Sequence, residues 1–206
     1  MGVGDALFPI VAFDESGNTG ENLLDRAQPL YCLASVHLEL DQASRLAATN
    51  SGQGQELRFA RLRRSDSGRQ RILTVLRARC ITSESARITP VHKPFMVAAK
   101  LFDLVMEPTL HESGINVYER GFHKAYANIL YRRGPNACGE DAWLELMASF
   151  VAAVRSGREE AVDRLMRAHR VCQLSANDLT VRQLLDLLPP EIVGTCFAVR
   201  SIRWRS

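Results

Sequence analysis

From residue 94 to residue 188, apolar side chains recur three and four places apart in one run after another, while strand-like runs are confined to the first 92 residues. A change of hydrophobic period from about 2 to about 3.6 commits the two parts to different layers, a sheet and a set of helices. LFPIVAF (7–13) reads as the first strand, YCLASVHLEL (31–40) as a second, antiparallel one, and ARITPVH (86–92) as a third. Helices are expected from Asp41 to Asn50, and from an Asp66 N-cap with Ile72, Leu73, Leu76 and Cys80 as the buried stripe. Another is expected over 94–106, opened by Pro94. A helix over 115–133 would bury Tyr118, Phe122, Ala125 and Ile129. EDAWLELMASFVAAVR would bury Trp143, Met147, Phe150 and Val154, and REEAVDRLMRAHR would bury Val162, Leu165 and His169. LTVRQLLDLL, stopped by Pro189 and Pro190, is the last helix. The fold class is mixed α/β, a sheet followed by a helical appendage at about 94–188.

At 206 residues, 46% apolar and 24% charged, the chain fits one globular domain. No run of about 18 apolar residues suggests a membrane span, and MGVGDALFPIVAF lacks the basic start and cleavage site of a secretory leader. Five scattered cysteines without a C-x-x-C pair predict reduced thiols and a cytoplasmic protein. The net charge is +3, yet residues 56–93 hold nine arginines and one lysine against three acids, a local charge of +7. A concentrated basic stripe marks a polyanion partner such as nucleic acid, although a solvated Arg-rich face has the same composition.

The first strand ends in FDESGNTG (13–20), with Asp14 and Glu15 adjacent and turn-forming residues behind them. Clustered carboxylates suit a hard divalent cation: Mg²⁺ prefers oxygen ligands, and metal-assisted phosphodiester cleavage holds two ions about 3.5–4 Å apart. Successive strand residues point to opposite faces, so Asp14 is the better ligand and Glu15 can join it only if the chain turns there. The plainer reading has one carboxylate capping the turn. Lys100, Asp103 and Glu107, spaced three and four apart, read first as an ion-pair ladder, with Asp103 facing an acidic centre as the alternative. Lys93, at the end of its strand, would reach a phosphate or stand in solvent. The five histidines lack zinc-site spacing, with His123 and His169 read as helix-face residues, and there is no G-x-S-x-G or Walker A motif.

FDESGNTG, ELRFARLRRS (56–65), VHKPFMVAAKLFDLVMEP (91–108) and INVYERGFHKAYANILY (115–131) together resemble the bacterial domain-of-unknown-function 3800 family (DUF3800) over roughly Ile10 to Tyr131. The resemblance implies a ribonuclease-H-like sheet with an acidic centre, over a single domain spanning 1–206, and presumed Mg²⁺- or Mn²⁺-dependent nuclease chemistry. It makes Glu56 the second metal ligand beside Asp14, with Glu15 and Asp103 as further candidates. Arg58, Arg61, Arg63, Arg64 and Lys93 would grip the nucleic-acid backbone. Glu56 in a simple ion pair is the competing reading. Arg58 stands where the family carries lysine. A guanidinium stays protonated and can clamp phosphate but cannot act as a base. Ribonuclease-H-like centres also draw carboxylates from the carboxy-terminal half, where Asp178, Asp186 and Glu191 are available outside any known pattern, so a truncated or catalytically degenerate binding protein is the alternative. The strand-like run EIVGTCFAVRSIRWRS at the end fits either a fragment or a natural end with an exposed edge.

Overall fold

The computed structural model describes residues 10–17, 22–50, 58–119 and 121–188. Its backbone divides into two compact units, the first drawn from 1–18 and 31–90, the second from 19–30 and 91–206.

In the first unit, β1 (Ala12–Ser16), β2 (Leu30–Val36) and β3 (Ala86–His92) form an antiparallel three-stranded sheet in the order β1-β2-β3. β1 runs three residues beyond the expected end at Phe13, because its backbone stays paired with β2 as far as Ser16 opposite Cys32. Gly17, at φ +84°, then ends it in a conformation that favours glycine. Of the expected first strand, Leu7 to Pro9 lie outside the described residues. β2 stops at Val36, earlier than expected, and α1 (Leu40–Asn50) follows. A single turn, α2 (Phe59–Leu62), precedes α3 (Asp66–Leu76). The cap of α3 is Ser65 rather than Asp66: the Gly68 amide donates to Ser65 Oγ at 3.1 Å. The expected stripe on α3 is only half-buried at Ile72 and Leu73, and Leu76 is 62% exposed.

The second unit holds every fully buried apolar side chain among the described residues. Here α4 (Lys93–Leu101) passes into a π-helical turn (Phe102–Met106) and then α5 (Glu107–Glu112). Pro108 accounts for the widening: its ring would collide with the Leu104 carbonyl four residues back in a regular α-helix. α6 (Phe122–Cys138), α7 (Glu140–Ser156), α8 (Glu159–Ser175) and α9 (Leu179–Asp186) follow. Leu101, Phe102, Val105 and Met106 pack with Leu130 of α6, with Leu146, Met147 and Phe150 of α7, with Leu165 of α8 and with Leu185 of α9. Burying each such side chain stabilises the unit by about 1.5–3 kcal/mol.

The helix expected at 115 begins only at Phe122, after Gly121 at φ +69°. Its buried face is Ala127, Leu130, Gly134 and Ala137; of the expected stripe, Tyr118, Phe122 and Ala125 are exposed, while Ile129 packs half-buried against the core. On α7 the stripe holds except at Val154, which turns outward in favour of Ala153. His169 lies on the buried face of α8, as its spacing from Leu165 predicts, 4% exposed, and its Nε2–H donates to the Leu185 carbonyl at 2.8 Å. Among the described residues no helix is long and apolar enough to cross a membrane.

Candidate functional site

The ladder register fixes what the two carboxylates on β1 can do. Asp14 pairs with Ala34 and Glu15 with Leu33, so both lie in regular strand and their side chains leave opposite faces of the sheet. The turn that would have let Glu15 join Asp14 does not occur at that point. Glu15 is instead engaged on its own face. Tyr31, diagonal to it across the β1–β2 pair, donates its hydroxyl to Glu15 Oε2 at 3.0 Å. That hydrogen bond to an anion, with burial and the carboxylate's charge behind it, raises the Tyr31 pKa above the usual phenol range. Asp14 is exposed and, among the described residues, makes no hydrogen bond or ion pair.

The arginine cluster sits on the α2–α3 corner of the same unit. Arg58 is the N-cap residue of α2, Arg61 lies within it, and Arg63 and Arg64 follow it; all four are exposed. What holds them is a close approach of the two helices. A Cβ on Gly68 would fall 2.0 Å from the Leu62 carbonyl oxygen, so only glycine lets α3 pass that near the end of α2. Arg69 reinforces the corner, donating to the Arg63 carbonyl at 3.1 Å and pairing with Asp66. Glu56, two residues before Arg58, lies outside the described residues.

Lys93 and Asp103 belong to the second unit. Lys93 opens α4, its backbone amide donating to the Pro29 carbonyl at 2.8 Å. It is 2% exposed, so it neither stands in solvent nor presents its ammonium at the surface to a nucleic-acid backbone, as the sequence reading expected. The preceding His92 caps α4 by accepting the Phe95 amide at Nδ1 and packs edge-on against Tyr131. Asp103, in the π-helical turn, takes Lys100 Nζ on Oδ2 and the Tyr118 hydroxyl on Oδ1, each at 3.2 Å. The Lys100–Asp103 arm of the expected ladder is therefore formed. Burial, then the Asp103 charge, pushes the Tyr118 phenol up to about 12. The carboxylates further on are also engaged. Asp178 caps α9 through the Thr180 and Val181 amides and pairs with Arg133, and Asp186 accepts from Gln173. Glu191 lies outside the described residues. Among the described residues no three His, Cys, Asp or Glu side chains converge as a metal site.

Tyr31 and Tyr118 hold two of the four candidate carboxylates; Tyr31 was not singled out from the sequence, and Tyr118 was expected as part of a buried helical stripe rather than as a carboxylate's partner. Tyr31 becomes legible only once the register of β1 on β2 is known, and Tyr118 only once it is seen to lie outside α6. No protein-family model, curated protein or solved structure matches this chain.

Proposed function

We propose that the chain is a divalent-metal-dependent nuclease of the DUF3800 type, built on a ribonuclease-H-like sheet, with Asp14 as its central ligand. The observation that carries this reading is the contrast within β1: Glu15 is bonded to Tyr31 while Asp14 is exposed and unpartnered among the described residues. An exposed strand carboxylate suits a hard cation that keeps part of its water shell. The antiparallel order β1-β2-β3, with a carboxylate on the first strand, supports the sheet this reading needs without specifying it. The exposed arginines at 58, 61, 63 and 64 belong to the same unit as Asp14. Their forked guanidiniums would grip backbone phosphates in bidentate pairs. Glu56, two residues before Arg58, would supply the second carboxylate. A bound Mg²⁺ or Mn²⁺ would acidify a water and neutralise charge on the scissile phosphate. Asp103, held by Lys100 and Tyr118 within the second unit, takes no part in this reading, and Glu15, bonded to Tyr31, takes a positioning part.

The test is cleavage of labelled single- and double-stranded DNA and RNA in Mn²⁺ or Mg²⁺, with EDTA and Asp14→Asn as controls. Metal-dependent cutting abolished by Asp14→Asn supports the proposal; cutting by the variant at the wild-type rate sinks it.

A second reading, a catalytically degenerate nucleic-acid-binding protein of the same fold, is favoured by the engagement of Asp178 and Asp186 in structural contacts. It expects salt-dependent nucleic-acid binding with no divalent requirement and no cleavage.

A further inference from the structure

We propose that a cavity in the first unit, between α1 and the turn that follows α3, binds a phosphate monoester on a flat ring, the size of a single nucleotide. The cavity has a volume of about 470 Å³, inside the roughly 300–1,000 Å³ range of small-molecule sites. One wall is a face of α1, where Gln42, Arg45 and Leu46 come together because they lie three and four residues apart. The other wall is Thr74 of α3 with Ala78, Arg79 and Cys80 behind it. That second wall is pinned by its own backbone. The Ala78 amide donates to the Val75 carbonyl at 3.1 Å, the Ile81 amide to the Ala78 carbonyl at 2.9 Å, and the Ser85 hydroxyl to the Cys80 carbonyl at 2.5 Å. A wall already ordered loses little freedom when a ligand arrives.

The charges select the ligand. Among the described residues no carboxylate lines the cavity, whereas two arginines do. Asp41 takes one nitrogen of Arg45, Nη2 to Oδ2 at 2.7 Å, and leaves the other N–H groups of that guanidinium as donors. Arg79 is exposed and makes no hydrogen bond or ion pair among the described residues. Gln42 accepts the Glu39 amide on Oε1 at 3.2 Å, which leaves its NH₂ group to donate. Donors on both walls with no lining anion call for an anionic ligand. The three oxygens of a phosphate monoester can engage both guanidiniums and the Gln42 amide, whereas a carboxylate is filled by one guanidinium fork. Leu46 and Ala78 add apolar surface, and guanidinium planes stack on flat rings, so the ring of the ester is recognised as well as its charge. Thr74 Oγ1 donates to the Gln70 carbonyl at 2.9 Å and so offers the ligand an acceptor.

Cys80 makes occupancy readable, because it lines the cavity and is free and half-buried. Cys32, also free and half-buried, lies on β2 and is the internal comparison. The experiment alkylates the full chain with N-ethylmaleimide in EDTA, alone or with adenosine monophosphate, adenosine or inorganic phosphate, and maps each cysteine; calorimetry supplies the Kd. Adenosine monophosphate at about ten times its Kd should slow Cys80 about tenfold, since only empty sites react, and leave Cys32 unchanged. Adenosine and inorganic phosphate at that concentration should protect far less. Arg79→Ala should weaken adenosine monophosphate binding roughly tenfold or more through loss of a charge-assisted contact, while Arg61→Ala in the α2–α3 corner should not. No binding by wild type, equal slowing of Cys32, equal protection by inorganic phosphate, or loss of binding in Arg61→Ala but not in Arg79→Ala overturns the proposal. The wild-type protection pattern decides the matter even if a variant unfolds, and without a divalent ion present it is independent of the metal reading at Asp14.

Discussion

Gly68→Ala tests whether the α2–α3 corner is the device that presents the arginine cluster. The new methyl would lie 2.0 Å from the Leu62 carbonyl oxygen and within 2.8 Å of its Cα. That is more than an ångström inside ordinary van der Waals contact, against backbone that no rotamer change can clear. Forced overlap of this kind costs about 1–3 kcal/mol. Two smaller effects oppose each other. Alanine gains roughly 1 kcal/mol of helix propensity over glycine. Opening the corner pulls the Gly68 amide off Ser65 Oγ, a cap worth about 1 kcal/mol. The net loss is therefore about 1–3 kcal/mol. In urea unfolding followed by far-ultraviolet circular dichroism, an m-value of about 1–3 kcal/mol/M turns this into a midpoint drop of roughly 1 M. Gln70→Ala, exposed on the same helix, is the control and should leave the midpoint in place. A Gly68→Ala protein as stable as wild type would refute the close approach and, with it, the fixed presentation of Arg58 to Arg64.

Leu146→Ala removes a fully buried side chain from the second unit and should destabilise it by about 2–5 kcal/mol, read in the same urea titration; a loss below about 1 kcal/mol would contradict the packing of α7. His169 sets an acid limit on stability. Burial depresses its folded pKa, so its contribution is present above the unfolded value, about 6.5, and is lost as pH falls through the folded value. The melting temperature should thus decline more steeply below pH 6.5 in wild type than in His169→Gln; parallel profiles would contradict it.

The helical half was legible where each helix buries a stripe against the core. α7 and α8 fit their spacing at Trp143, Met147, Phe150 and Leu165 because packing there follows hydrophobic period alone. α6 was misread because periodicity does not register a backbone stop: Gly121 starts the helix late, and small residues (Ala127, Gly134, Ala137) rather than aromatics line its buried face. Gly134 shows why, since a Cβ there would meet the Trp143 ring at 2.6 Å. In the sheet, β3 matched its expected span from Ala86 to His92, whereas β1 outran the apolar run that signalled it. Strand pairing, not hydrophobicity, carries β1 through Asp14 and Glu15. For the candidate site, the alternation that separates those carboxylates was readable from strand geometry, but the partners that occupy Glu15 and Asp103 were not, because Tyr31 and Tyr118 reach them only through tertiary register.

The most direct test of the account is Mn²⁺ binding, measured by calorimetry or electron paramagnetic resonance, on wild type, Asp14→Asn, Glu56→Gln and Glu15→Gln. The expected result is that Asp14→Asn and Glu56→Gln lose the ion while Glu15→Gln, altered on the opposite sheet face, keeps wild-type affinity. Loss of binding in Glu15→Gln equal to that in Asp14→Asn, or no Mn²⁺ bound by wild type, would contradict it.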